Sequence, residues 1–146
     1  MLALELDTSA VKGFMGALLR GDIFDNFEAR NLELLTNMRI SIDSQSETGF
    51  MQWRDMRPLI YNIIKEGQKP RYIKIVFSLV DSDIQSIHQN AAALFLNLVY
   101  ENDSVTFTTA TAQKEFVMDK SLDFAWDDWI NGFFAKNALP VLDKLM

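Results

Sequence analysis

Residues 94–111 read LFLNLVYENDSVTFTTAT, and this stretch decides the fold. Two runs with the two-residue alternation of strands flank a short polar segment, Glu101-Asn102-Asp103-Ser104. That arrangement predicts a strand over 94–100, a four-residue polar turn, and a strand over 105–111 paired to it as an antiparallel hairpin.

Working outward, residues 72–80 alternate through Ile73, Ile75, Phe77 and Leu79 and predict another strand. Asp81 or Ser82 then caps a short helix to about Asn90, with Ile84, Ile87 and Ala91 in phase. After the hairpin, residues 115–118 read as a further short strand. The last helix starts near Asp119 or Ser121 and carries Leu122, Trp126, Trp129, Ile130, Phe133 and Phe134 on one face. Pro140 ends that run ahead of an apolar tail over 141–145.

Toward the N-terminus, Trp53, Met56, Leu59, Ile60, Ile63 and Ile64 mark a helix that stops at Gly67. Pro58 favours a start near Asp55, or a distorted first turn. Upstream, Leu32, Leu34, Thr36, Met38, Ile40 and Ile42 share one face of a single long or bent strand, followed by the polar loop SQSETG. One apolar face per strand favours an antiparallel sheet with a solvated side. Leu2, Leu4 and Leu6 suggest an opening strand. Asp7 and Thr8 then cap a helix carrying Val11, Phe14, Met15, Leu18 and Leu19, with Gly21 as its left-handed end. The expected fold is α+β, a mostly antiparallel sheet of five to six strands with three main helices packed on one face. Residues 1–146 form one domain on this reading.

Composition narrows the chemistry. Half of the 146 residues are hydrophobic (49%), too many for a disordered chain. The absence of cysteine excludes disulfides, cysteine–zinc sites, iron–sulfur clusters and thiol nucleophiles, and the lone His88 excludes two-histidine metal motifs. No basic stretch leads into a long apolar run at the N-terminus, and the densest apolar run is six residues, 91–96. Neither a leader nor a membrane span is expected, so the setting is read as cytoplasmic.

Net charge is −6, unevenly spread: residues 54–74 carry six bases against two acids, leaving −10 on the other 125 residues. An acidic whole disfavours broad nucleic-acid binding. The basic segment, with Arg54, Arg57, Lys69, Arg71 and Lys74, still offers a local anion site. Its aromatic company (Trp53, Tyr61, Tyr72) allows single-stranded nucleic acid to stack there, or the bases simply edge a helix.

Asp22, Asp25 and Glu28 form a D-x-x-D-x-x-E string after the first helix. Three carboxylates on a turn can hold Mg²⁺ or Ca²⁺, although the spacing is not that of the calcium loop and a solvated acidic turn between helix and strand is the favoured reading. His88 sits at the margin of a helical apolar face without a nucleophile motif, which suits a structural hydrogen bond. Gly13 and Gly16 line the back of the first helix and mark either a close approach or a weak helix. Phe124 falls about 160° from Trp126, among polar residues, as a covered ring or an exposed interface anchor.

Several strings together carry a family resemblance: Val11-Lys12 with Phe14-Met15 and Leu18-Leu19, Phe24-Asp25-x-Phe27, Arg57-Pro58, Lys74-Ile75-Val76-Phe77, Leu94-Phe95-Leu96-Asn97, and Asp119-Lys120-Ser121-Leu122 with Ala125-Trp126-Asp127. The chain resembles a small family of uncharacterised proteins from clostridial Firmicutes over most of its length. The resemblance implies a bacterial cytoplasmic setting and carries over no activity, cofactor or site residue. The loop over 43–52 is shorter here than is usual in that family.

The functional expectation is a noncatalytic binding or protein-interaction module, needing no cofactor and taking an unidentified protein partner or a second copy. A metal-dependent hydrolase of phosphorylated or nucleic-acid substrates, built on the acidic string, is the alternative. Single-stranded nucleic-acid binding at the basic segment is the third.

Overall fold

The computed structural model describes residues 1–67 and 69–143. Seven strands form one sheet: β1 (Ala3–Leu6), β2 (Phe27–Leu35), β3 (Arg39–Asp43), β4 (Tyr72–Leu79), β5 (Ala91–Glu101), β6 (Ser104–Gln113) and β7 (Val141–Asp143). Their order is β3-β2-β4-β5-β6-β1-β7, and every neighbouring pair is antiparallel. Four α-helices accompany them: α1 (Val11–Arg20), α2 (Trp53–Glu66), α3 (Asp81–Ile87) and α4 (Ser121–Lys136). The α+β class and antiparallel sheet stand, while the described residues hold seven strands and four helices instead of five to six and three.

The additional strands have identifiable origins. The stretch expected as one long strand is a hairpin, β2 to β3, turning at Thr36, Asn37 and Met38. Leu32 pairs with Ile42 and Leu34 with Ile40. Because even-numbered residues face even-numbered ones across this register, the alternation continues through the turn and hides it. Arg71 locks the turn from the start of β4, its Nε and Nη2 donating to the Thr36 carbonyl at 3.3 and 3.1 Å. At the other end, residues 141–143 add β7 to the edge beside β1. The rest of the predicted apolar tail lies outside the described residues.

The hairpin that decided the class is present and longer than expected, with Glu101 paired to Ser104. Asn102 and Asp103 occupy the left-handed region (φ 55° and 59°), as a two-residue turn matching strand twist requires. Residues 115–118 do not extend the meander: they form an exposed loop between β6 and α4.

Phe27, Leu32, Ile75, Phe77, Leu96, Leu98 and Phe107 point to one face of the sheet, where the helices bury Phe14, Leu18, Trp53, Met56, Trp126, Ile130 and Phe134. At its centre Phe24 stacks on Phe77, ring centroids 4.8 Å apart and planes 4° from parallel. Phe14 meets Phe24 edge-on, and Trp53 meets Phe77 likewise. Helix α4 is keyed to β6 by polar bonds: Thr109 Oγ1 donates to Asp127 Oδ1 at 2.7 Å and Thr111 Oγ1 to Asp123 Oδ1. Carboxylates one helical turn apart thereby meet threonines two residues apart on the same strand face.

Helix α2 begins at Trp53, earlier than Pro58 suggested. The fully buried indole explains it, since Nε1 donates to the Leu18 carbonyl at 3.2 Å and ties α2 to the end of α1. The Gln52 carbonyl accepts from both Asp55 and Met56, at 3.0 and 3.1 Å, so the first turn is tightened. Leu59 and Ile63, expected on the apolar face, are exposed. Gly21 ends α1 in an extended conformation (φ −92°), not a left-handed one. Glycine is needed for a different reason: a Cβ there would stand 2.7 Å from the Ala17 carbonyl oxygen. Around Gly13 there is open space, and Gly16 meets only the Arg20 side chain, so among the described residues no other element comes close to these two glycines.

Phe24→Ala should cost about 3–5 kcal/mol, since it empties the ring position shared by β4, α1 and the β2 entry. Urea unfolding followed by tryptophan fluorescence measures this, and a loss below about 1 kcal/mol would contradict the central role of the stack.

Candidate functional site

The acidic string lies on the link from α1 to β2. Asp25 is engaged by Arg57, whose Nε and Nη2 donate to Oδ1 and Oδ2, both at 2.8 Å. Both side chains are half-buried, and the hydrogen bond with Asp25 raises the Arg57 pKa above its ordinary value. Phe27 faces the core, so strand alternation sends Glu28 to the opposite face of the sheet. Asp22 lines a separate cleft with Asp83 and Asp128. The three predicted ligands are therefore not brought together, and among the described residues no three His, Cys, Asp or Glu groups are placed to hold a metal ion.

Glu28 and its surroundings form a cluster the sequence did not reveal. Its carboxyl is pushed above the ordinary value, first by burial and then by the negative charge of Asp81. A hydrogen bond from the Phe50 backbone N–H and the charge of Arg30 act in the other direction. Arg30 occupies a bulge of β2. Its guanidinium lies 4.2 Å from the Phe50 ring centroid and 4.8 Å from that of Phe95, and Nε donates to Ser78 Oγ at 3.0 Å. Cation–π contacts on both sides hold the loop over 44–51 against the open face of the sheet.

The basic segment is dispersed. Arg57 holds Asp25 and Arg71 holds the Thr36 carbonyl. Arg54 is exposed beside Asp55 at 3.7 Å. Lys74 lies on the open sheet face, in register with Glu33 on β2. Lys69 reaches Asp103 at 3.1 Å. Of the five, Lys69 and Arg71 line one shallow cleft beside the β5–β6 turn, while the Arg57 and Arg71 guanidinium groups are spent on contacts within the fold.

His88 is wired structurally. Nδ1 accepts from the Asn90 backbone N–H at 3.0 Å, so Nε2 carries the proton and donates to Ser121 Oγ at 2.9 Å. Ser121 in turn donates to Asp119 Oδ1 at 2.6 Å, which helps hold the Asp119 carboxyl below its ordinary range. A catalytic serine donates to an unprotonated imidazole nitrogen; here the direction is reversed. The trio links the end of α3 to the start of α4.

Phe124 is exposed on the first turns of α4, at 66%. The preceding loop adds Phe116 and Met118, each 85% exposed, and Val117. Gln113 holds this loop at its base: Oε1 accepts from the Val117 N–H at 3.1 Å and Nε2 donates to the Val117 carbonyl at 3.3 Å. The sequence reading missed Phe116, Val117 and Met118 because their β-propensity imitates a strand. Charged residues on both sides of so short a run, Lys114-Glu115 and Asp119-Lys120, were the available signal of a loop.

These features define an α+β domain whose chemistry-bearing side chains are largely occupied in holding the fold and whose open surface is locally apolar. The chain belongs to a family of unknown function (DUF5721), which it matches over residues 17–141. No curated protein and no solved structure matches it. Among the described residues no helix is long and apolar enough to cross a membrane.

Glu28→Gln should stabilise the protein at neutral pH. A carboxyl with a raised folded-state pKa favours folding while protonated and loses that contribution as pH rises through the folded value. Glutamine keeps an acceptor for the Phe50 N–H and has no charge to desolvate. The gain in urea midpoint over wild type should vanish as pH falls below the ordinary glutamate value of 4.5. An equal gain at all pH values would locate its origin elsewhere.

Proposed function

We propose that the chain is a noncatalytic protein-interaction module of a bacterial cytoplasm, docking through Phe116, Met118 and Phe124. The exposure of these three side chains within nine residues of one another is the observation that carries the reading. Large apolar groups held out in water on a loop anchored at its base gain most when a partner desolvates them, and aromatic anchors dominate interface energetics. The flanking loop charges balance, Lys114 and Lys120 against Glu115 and Asp119, while the chain as a whole is at −6. That combination suits an apolar cleft on another protein better than an anionic lipid surface. The divided carboxylates and dispersed bases lend no comparable support to a hydrolase or a nucleic-acid surface.

A photo-crosslinking amino acid placed at 116 or 124, in the cell that makes the protein, should yield one discrete adduct. The same group at the exposed position 59 on α2 should not, and Met118→Asp should suppress the adduct at both sites. Adduct mass then separates a second copy of the chain from a different protein. Equal labelling at 59, insensitivity to Met118→Asp, or no adduct at all would each overturn the reading.

A further inference from the structure

A second apolar surface, concave instead of protruding, lies at the opposite end of β6. A cavity of about 580 Å³ opens between α1, the C-terminal end of α2, the start of β4 and the β5–β6 turn. This size falls within the roughly 300–1,000 Å³ of small-molecule sites. The cavity follows from how the two helices are joined. The Trp53 indole ties the start of α2 to the end of α1, whereas the cavity sits at the other end of α2, beside Ile64.

Its lining is sorted by polarity. Val11, Met15, Leu19, Ile64, Ile73 and the Tyr100 ring are buried or half-buried and form the walls and floor. Thr8, Lys12, Lys69 and Asp103, the other polar residues lining it, are exposed and form the rim. Asp103 Oδ1 accepts from both Lys69 Nζ at 3.1 Å and the Tyr100 hydroxyl at 3.0 Å, which fixes that side of the rim. Lys12 has no carboxylate partner among the described residues. Two lysines against one aspartate leave the rim with a net positive charge in an otherwise acidic protein.

We propose that this cavity binds a single-chain amphiphile with an anionic head, its apolar chain on the Met15–Leu19–Ile73 floor and its head at Lys12 and Lys69. The apolar walls reject a fully charged metabolite, because its polar groups would lose water without gaining partners. The exposed ammonium of Lys12, without a carboxylate partner among the described residues, supplies the complement for one negative charge. A carboxylate and a phosphate monoester share this chemistry. The site is separate from the Phe124 surface, so each can fail without the other.

Calorimetric titration of the full chain with laurate, kept below its micellar concentration, tests the assignment, with dodecyl phosphate as the second head group and dodecanol as the uncharged control. Saturable one-to-one binding of at least one anion is expected, tightening from octanoate to laurate by up to about fourfold per methylene. Lys12→Glu is at an exposed position and should leave the melting temperature unchanged while weakening binding about tenfold or more. Met15→Trp, which fills the floor, should abolish binding; Phe124→Asp should not affect it. Preference for laurate or for dodecyl phosphate identifies the head group. No saturable binding of either anion, equal binding of dodecanol, or full binding by Lys12→Glu would overturn the proposal.

Discussion

The face-to-face contact of Phe24 with Phe77 is the constraint on which the rest of the structure depends. Phe77 belongs to β4, near the middle of the sheet, whereas Phe24 belongs to the irregular link between α1 and β2. Stacking a link residue flat on a sheet residue fixes where α1 ends and where β2 can begin. Phe27, three residues later, also meets both Phe77 and the Phe133 ring of α4, so the same cluster sets the height of the last helix. Trp53 closes the cluster from α2, edge-on to Phe77, while its indole N–H holds the Leu18 carbonyl. An aromatic centre of this kind combines large buried area with directional ring contacts, and so selects one packing among several of similar hydrophobic content.

With most apolar side chains gathered on that face, the opposite face of the sheet carries mainly polar and β-branched residues and one covering device. The bulge in β2 turns Arg30 outward, and its sandwich between Phe50 and Phe95 draws the loop over 44–51 onto the sheet. Ser44 covers the carbonyls at the bulge: its Oγ donates to the Ala29 carbonyl and its backbone N–H to the Arg30 carbonyl at 3.1 Å. The raised Glu28 carboxyl is a consequence of this covering, since the loop that shelters Arg30 also removes water from its neighbour.

Much of this was legible in the sequence, and the failures have physical causes. Alternation at Tyr72–Leu79 and around the Asn102-Asp103 turn gave the antiparallel core of the sheet, whereas the angular position of Phe124 on α4 left a covered and an exposed ring equally open, and the ring is exposed. The β2–β3 turn was invisible because its register preserves the parity of the alternation. The +4 segment was misleading in a different way. Residues 54–74 span an amphipathic helix, a connection and a strand start, so neighbours in sequence project in unrelated directions. Sequence spacing offers Arg57 and Arg71 as ligands for an anion; each is engaged by a carboxylate or a carbonyl of the fold itself. Linear charge density predicts a patch only where one element presents all of its charges on one side. The acidic string failed for the same reason, since Asp25 and Glu28 are separated by the alternation of the strand that begins between them.

The placement of the two apolar surfaces follows from β6. Its ten residues, Ser104–Gln113, run from the turn at the cavity rim to the Gln113 side chain that anchors the exposed loop. At about 3.3 Å per residue the strand keeps the two surfaces roughly 30 Å apart. Neither can therefore sterically block the other, and a chain in the cavity would not compete with a partner seated on Phe116 and Phe124. Between them lies the α4 face keyed to Thr109 and Thr111 by Asp127 and Asp123. These bonds fix α4 on β6 along the strand, so a sliding of α4 would have to break charge-assisted hydrogen bonds before it carried any change at the cavity to the loop. The architecture accordingly favours two independent surfaces on one rigid strand over a coupled pair.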